Sequence, residues 1–556
     1  MNNKRVCVIG LDGATLDLIQ PWTQQEILPN IARLMSTGSW GRLHSTIPPI
    51  TAPAWSSFMT GKNPGKHGLY DFIGRRPNSY QTRPFNASHR DGESLWSILS
   101  RAGKQVCVVN VPITYPPEPV NGCMISGMGT PATAQNYCYP PGLLSELHLV
   151  VPDYEVQPEG IFDPRGRELE TLQAVRAMTE MRLKAALYLL QHYDCDFFMV
   201  VFRATDVVQH YFWHYMDSNH SRYNSRAAQE LQTGIRDCYQ QIDRGLADIF
   251  THLNDETLII LMSDHGFGIQ ETYLHMNTWL WQQGYLNFKR NRITRAKEML
   301  FRWGFTPSNT YEVLRILRQA RNIARAIRKN KTSARETINR IFLSFQDVDW
   351  TRTLAYSVGN IGQIYFNLQG REPQGIVSPG NGFDNLFDEL SHKLMELRDS
   401  ITGEPIVGRI YRQEEVFEGA HLCEAPDLIF MPHEKCLGYG ALHFPTRQWL
   451  SPSDRSGTHR LDGLLLMHGP GIRTDYQIAG ARLIDLAPTI LAAMDVPIPS
   501  DMDGQVLIDA FTEAFQDIMP IRYQHPQVKA ESKAPDLTEG EEHEILEQLR
   551  GLGYAD

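Results

Sequence analysis

Residues 257–266, TLIILMSDHG, decide the fold: an apolar, β-branched run ends abruptly in Asp264 and His265. The same form occurs at 5–13, RVCVIGLDG, which ends at Asp12, and at 195–206, CDFFMVVFRATD, which ends at Asp206. Short apolar runs interleaved with longer amphipathic stretches are the sequence form of a parallel sheet with crossover helices. In an open α/β sheet ligands sit outside the carboxyl ends of the strands, so three strands that each deliver an Asp there can serve one site. A fourth run, LDGLLLMHGPGI at 461–472, with a helix read over LIDLAPTILAAM at 483–494, implies that the core resumes late in the chain. The expected fold class is α/β, a largely parallel central sheet with helices on both faces.

The 556 residues allow about three or four domains, or one large α/β domain with insertions. A net charge of −10 and a hydrophobic share of 42% argue against a nucleic-acid coat and against wholesale disorder. The eight cysteines form no CxxC pair, so reduced thiols are expected rather than a disulfide scaffold or a thiolate zinc site. No stretch reaches the roughly 18 to 20 apolar residues of a membrane span. The opening MNNKRVCVIGLDG runs straight into a strand, leaving no room for a signal peptide. The expectation is a cytoplasmic protein, with peripheral contact to an anionic membrane left open and no stable nucleic-acid partner.

Two segments stand outside the sheet pattern. From Lys289 to Arg340 there are 15 basic residues against three acids, and Val313, Leu314, Leu317, Ala320, Ala324 and Ile327 recur at helical spacing among arginines. Residues 283–345 therefore read as a basic helical insertion between 1–282 and 346–512. It is either a cap, a docking arm or a solvated arginine face on a packed helix. Residues 513–556 read as a linker and a short helix stopping at Gly551, without assigned chemistry.

The chemistry-bearing residues have the character of a two-cation site. Asp206 and His210 are four apart, so on a helix both face one ion. Adjacent Asp264 and His265 suit a strand-end turn, and Asp12 and His459 (SGTHRLDG, 456–463) supply further donors. In PPITAPAWSSFMTGKNPGKHG, 48–68, Thr51 precedes a helix-like stretch. It is either a nucleophile favoured by the helix N-terminus and a bound cation, or simply the cap of that helix.

The ordered set Asp12, Thr51-Ala-Pro, Asp206/His210, Asp264/His265 and His459 resembles the alkaline phosphatase superfamily, in particular its type I phosphodiesterase and nucleotide pyrophosphatase branch. LPNIARLMSTGSWG, APDLIF and LAPTILAAM…DMDG support the resemblance, which covers about 1–280 and 345–510. It implies two divalent ions, zinc with manganese as the other option, one held by Asp206, His210 and His459 and the other by Asp12, Asp264, His265 and the Thr51 oxygen. It implies in-line attack by Thr51 and a covalent phosphothreonine. Arg203, Lys66 and His67 lie near the motifs as substrate-binding or structural residues. Where relatives place an Asn about four residues after the His of a loop like NPGKHGLYDF, this chain has Asp71, which either favours a singly charged diester or faces away from substrate. The CxPxR motif of sulfatases is not present.

The expected function is hydrolysis of phosphodiester or pyrophosphate bonds in nucleotides or nucleotide-linked molecules. A phosphomonoesterase or phosphoryl transferase of the same superfamily is the alternative. From a different class comes an anionic-lipid or nucleic-acid binding protein that uses the basic insertion.

Overall fold

A computed structural model of the chain describes residues 5–310, 340–527 and 537–554, apart from 159–160, 162–163, 400–401, 434, 441–443 and 553. The basic stretch Val313–Arg328 lies outside the described residues.

The centre is a nine-stranded sheet. Its strands are β1 (Arg5–Leu11), β2 (Ser39–His44), β3 (Val106–Val111), β4 (Gly122–Ser126), β5 (Cys138–Tyr139), β6 (Phe197–Phe202) and β7 (Thr257–Met262). After a two-stranded ribbon of β8 (Gly266–Ile269) and β9 (Gly457–Arg460) come β10 (Asp462–His468) and β11 (Tyr476–Ile478). The order is β11-β2-β10-β7-β1-β6-β3-β4-β5, and from β7 through β4 every neighbour is parallel. Late in the chain β10 does enter the core, but antiparallel to both β7 and β2. A buried apolar run looks alike in either direction, so its orientation is set by its connection and not by its composition.

Alternation along β1 sends Cys7, Ile9 and Leu11 to one face and Val6 and Val8 to the other, the period of two expected of a strand. The first face packs on helices α2 (Glu168–His192), α3 (Ala204–Met216) and α4 (Gly234–Phe250), through Met178, Phe212 and Ile242. The other packs on α1 (Thr51–Thr60) and α5 (Leu486–Ala493), through Trp55, Phe58 and Ile490. Helix α1 ends at Gly61, whose φ of 66° is the left-handed cap conformation that favours glycine. Register sets Leu11 opposite Phe202 and Gly10 opposite Met262, so β1, β6 and β7 finish level and their following residues meet at one edge.

A second apolar core lies around an antiparallel sheet of Ala355–Ser357, Gln363–Phe366, Leu428–Pro432 and Val407–Arg412. Phe288, Phe301 and Leu343, from the described parts of 283–345, are buried in it. So are Ile545, Leu549, Leu552 and Tyr554, from α6 (Glu539–Gly551) and the residues after it.

The expectation of eight free thiols is corrected at one pair: a disulfide joins Cys107 and Cys123. They stand in register on adjacent parallel strands, Cα atoms 4.8 Å apart, a pairing invisible to a search for local cysteine spacing. No described helix is long and apolar enough to cross a membrane.

Candidate active site

Asp12 follows β1, Asp206 lies in the first turn of α3 directly after β6, and Asp264 and His265 follow β7. All four are essentially solvent-free. His459 comes from β9, paired opposite Phe267 of β8. The six residues gather into two triads that could each hold a metal ion, Asp206/His210/His459 and Asp12/Asp264/His265. The triads abut, since the His265 and His459 rings stack with centroids 3.6 Å apart.

In the first triad His210 Nε2 lies 3.2 Å and His459 Nε2 3.3 Å from Asp206 Oδ1, and the two Nε2 atoms are 3.1 Å apart. In the second, His265 Nε2 lies 3.7 Å from Asp12 Oδ1 and 3.4 Å from Asp264 Oδ2. Each imidazole is oriented from behind. His210 Nδ1 is 2.8 Å from the Gly457 carbonyl, His459 Nδ1 2.9 Å from that of Pro49, and His265 Nδ1 3.0 Å from that of Gly266. A carbonyl can only accept, so Nδ1 carries the proton and the Nε2 lone pair faces the carboxylates. Metal-binding histidines are held in this way.

Acceptors facing acceptors are an arrangement that a cation between them would satisfy, and the unpartnered atoms fit it. Asp12 Oδ1 and Asp264 Oδ2 are buried without a hydrogen-bond partner among the described residues. Burial, then the Asp206 charge, pushes the Asp12 carboxyl up to about 8, and burial with the Asp12 charge raises Asp264. Burial, then the Arg455 guanidinium, pushes His210 down to about 4; burial and His459 lower His265. The His210 and His265 imidazoles are thus neutral and available as ligands. Oxygen and imidazole donors in threes suit zinc and manganese alike.

Thr51 is the first residue of α1, whose cap residue is Ile50 with no side-chain capping bond. Its hydroxyl lies 3.2 Å from His265 Nε2. Trp55, one turn on, donates its indole N–H to Asp12 Oδ2 at 3.3 Å.

Asp71 is buried, with both oxygens engaged. Oδ1 accepts from the Phe72 N–H at 2.6 Å and Asn360 Nδ2 at 3.0 Å, and Oδ2 from the Asn360 N–H at 2.6 Å and Gln363 Nε2 at 3.0 Å. Lys66 pairs with Asp503 and donates to the Asp501 carbonyl at 3.1 Å. Arg203 is 1% exposed and donates to Gln157 at 3.1 Å, while its Nε and Nη2 have no partner among the described residues. His67 is buried behind α1 with Nε2 2.9 Å from Ser57 Oγ.

Three residues were not singled out from the sequence. Arg182 of α2 is buried with two N–H groups unpartnered among the described residues, and its charge, like that of Arg203, lowers the Asp12 carboxyl. Arg455 lies over the Tyr554 ring, 5.2 Å from its centroid. The Tyr554 hydroxyl reaches the first triad, 2.9 Å from His210 Nε2 and 3.1 Å from His459 Nε2. A buried arginine on an amphipathic helix leaves no local signal. The apolar stripe of α6 could have pointed to a docked tail, though not to its target.

Known proteins share this architecture. The phosphonoacetate hydrolase of Sinorhizobium meliloti 1021, solved with phosphonoformate, matches over 89% of this chain and 96% of its own, with a TM-score of 0.53 at 12% identity. Human ectonucleotide pyrophosphatase/phosphodiesterase 5 matches over 93% and 99%, with a TM-score of 0.50 at 11% identity. At these identities the likeness is one of fold. Human (Homo sapiens) arylsulfatase K is 33% identical over 63 residues, 11% of this chain, and the chain spans only 12% of that relative's length. Residues 6–441 match the type I phosphodiesterase/nucleotide pyrophosphatase family. With this span, which holds Thr51 and every triad residue but His459, the chain belongs to that family of phosphoric ester hydrolases.

Proposed function

We propose that the chain hydrolyses phosphodiester or pyrophosphate bonds of nucleotide or nucleotide-linked substrates, with Thr51 as the nucleophile. The observation that carries this is the Thr51 hydroxyl 3.2 Å from His265 Nε2, beside two abutting triads of buried acceptors. Asp206, His210 and His459 would hold one divalent cation, and Asp12, Asp264 and His265 the other. When bound, such cations supply Lewis-acid stabilisation of the attacking and leaving oxygens.

Thr51 sits where the backbone N–H groups and dipole of α1 favour negative charge. Its oxygen bonds to phosphorus as the bond from phosphorus to the leaving oxygen breaks, giving a phosphothreonine. Water hydrolyses that ester and restores the hydroxyl. Arg182 and Arg203, with N–H groups unpartnered among the described residues, are the cations available to the non-bridging oxygens. Asp71, tied by Asn360, Gln363 and Phe72, serves as a support of this wall and not as a contact to phosphate.

Two features bear on the substrate. The murine ectonucleotide pyrophosphatase/phosphodiesterase 5 was solved as an inactive threonine-to-alanine variant in complex with AMP. The local likeness to an arylsulfatase comes without a CxPxR motif in this chain. Zinc- or manganese-loaded protein is expected to release p-nitrophenol from bis-p-nitrophenyl phosphate, and Thr51→Ala to abolish the release. Undiminished turnover by Thr51→Ala overturns the covalent route, and a kcat/KM higher for the monoester of the same leaving group overturns the diester preference. Product analysis with acceptor alcohols separates hydrolysis from transfer.

A further inference from the structure

The first triad has a fourth member. The Tyr554 hydroxyl lies 2.9 Å from His210 Nε2, 3.1 Å from His459 Nε2 and 3.3 Å from Asp206 Oδ1. The other three separations among these atoms are 3.1, 3.2 and 3.3 Å. Six edges so nearly equal define an almost regular tetrahedron. With edges near 3.1 Å, its centre is about 1.9 Å from every vertex, against roughly 2.0–2.2 Å for zinc–nitrogen and zinc–oxygen bonds. A hydroxyl has one proton and cannot satisfy two imidazole lone pairs and a carboxylate together. Four donors at tetrahedral spacing suit a cation at their centre better than a hydrogen-bond network.

The hydroxyl is brought there by the segment that follows α6. Ile545, Leu549 and Leu552 are buried in the second core. Polar contacts pin the helix along its length: Glu542 to Arg76 at 2.5 Å, Glu541 to Tyr115 at 3.1 Å, Thr133 to Glu544 at 2.9 Å and Tyr211 to the Gly551 carbonyl at 3.2 Å. Beyond it the Tyr554 ring packs on Phe72, centroids 4.7 Å apart, and its carbonyl accepts from Asn360 Nδ2 at 3.0 Å. Asn360 is the residue gripped by Asp71, so the wall beside the triad and the tail are one network.

Catalytic zinc sites keep three protein ligands and leave the fourth position to water or substrate, whereas closed four-ligand sites are structural. We propose that Tyr554 is the fourth ligand of the cation held by Asp206, His210 and His459, so that the docked C-terminal segment closes the position an incoming phosphoryl oxygen must take. Substrate enters by displacing that oxygen, and the tail acts as an intramolecular gate. The inference rests on the two-cation reading of the site.

The test uses the full chain, Tyr554→Phe, which keeps the ring and its packing, and a chain ending at Leu552. Zinc and cobalt(II) affinities are measured by chelator competition, and inorganic phosphate binding to the metal-loaded proteins by calorimetry. Tyr554→Phe is expected to hold one of its two cations at least tenfold less tightly, to alter the visible spectrum of the cobalt form, and to bind phosphate at least tenfold more tightly. The shortened chain should match it in phosphate affinity, which keeps the test open if the Phe variant does not fold. Equal phosphate affinity in all three proteins overturns the fourth-ligand assignment while leaving the two-cation reading intact. Full-length protein that takes up no metal overturns that reading itself.

Discussion

Replacing His67 with Leu tests the support behind helix α1. His67 is fully buried, accepts the Leu69 N–H on Nδ1 at 3.2 Å, and therefore donates from Nε2 to Ser57 Oγ at 2.9 Å. Burial, reinforced by the charges of Arg90, His421 and Lys62, pushes its pKa down to about 3. In the unfolded chain the value is about 6.5. Between these two values the unfolded chain binds a proton that the folded chain does not. The stabilisation from a neutral His67 is thus complete above pH 6.5 and is lost as pH falls towards 3. At pH 7.5 the variant leaves the Leu69 N–H without an acceptor and Ser57 without a donor, a cost of about 3 kcal/mol. Below pH 6.5 the wild type alone carries this group's penalty of about 1.4 kcal/mol per pH unit. The gap should therefore shrink by about 3 kcal/mol by pH 4.5 and nearly vanish. Urea midpoints of both proteins with a chelator present, measured from pH 8 to 4.5, read this directly, because every other titrating group is common to the pair. A gap that stays constant across the range refutes a buried neutral imidazole at this position.

Two further substitutions probe the triads from other sides. Asp12→Asn removes one of three buried carboxylates and keeps an acceptor for the Trp55 N–H. Urea melts should show the metal-free protein as stable as wild type or more so, while zinc affinity measured by chelator competition falls at least tenfold. Gly10→Ala would place a Cβ 2.5 Å from Trp55 Cη2 and 3.0 Å from Val201 Cγ2. The indole must shift away from Asp12, and the melts should show a loss of about 1–3 kcal/mol, with a fluorescence change at that tryptophan.

The triads were legible because each piece obeys a local rule. Asp12, Asp206 and Asp264 each follow an apolar run, and a level register at the ends of β1, β6 and β7 follows from parallel pairing. Asp206 and His210 meet at 3.2 Å because four residues make about one helical turn. Lys66 shows where a local rule stops. It is close in sequence to helix α1, but side-chain direction is decided by what lies opposite, and there the acidic Asp501 and Asp503 draw its amine. Cys107 and Cys123 were missed because only strand register, not spacing, sets them opposite one another.

Tyr554 marks where local rules end. It stands 95 positions from His459 and 348 from Asp206, and no periodicity relates them. The sequence carries the means of transport: Ile545, Leu549 and Leu552 form the stripe that docks α6, and Thr538 caps the helix by accepting from the Glu541 N–H. What it does not carry is the destination, because the surface that receives the segment after α6 is assembled from residues as far apart as Phe72 and Asn360. A ligand triad built on strand ends and one helix turn can be read from local order. A fourth donor delivered by a docked tail can be read only once the dock exists, and this separation also makes it the donor most easily withdrawn without disturbing the other three.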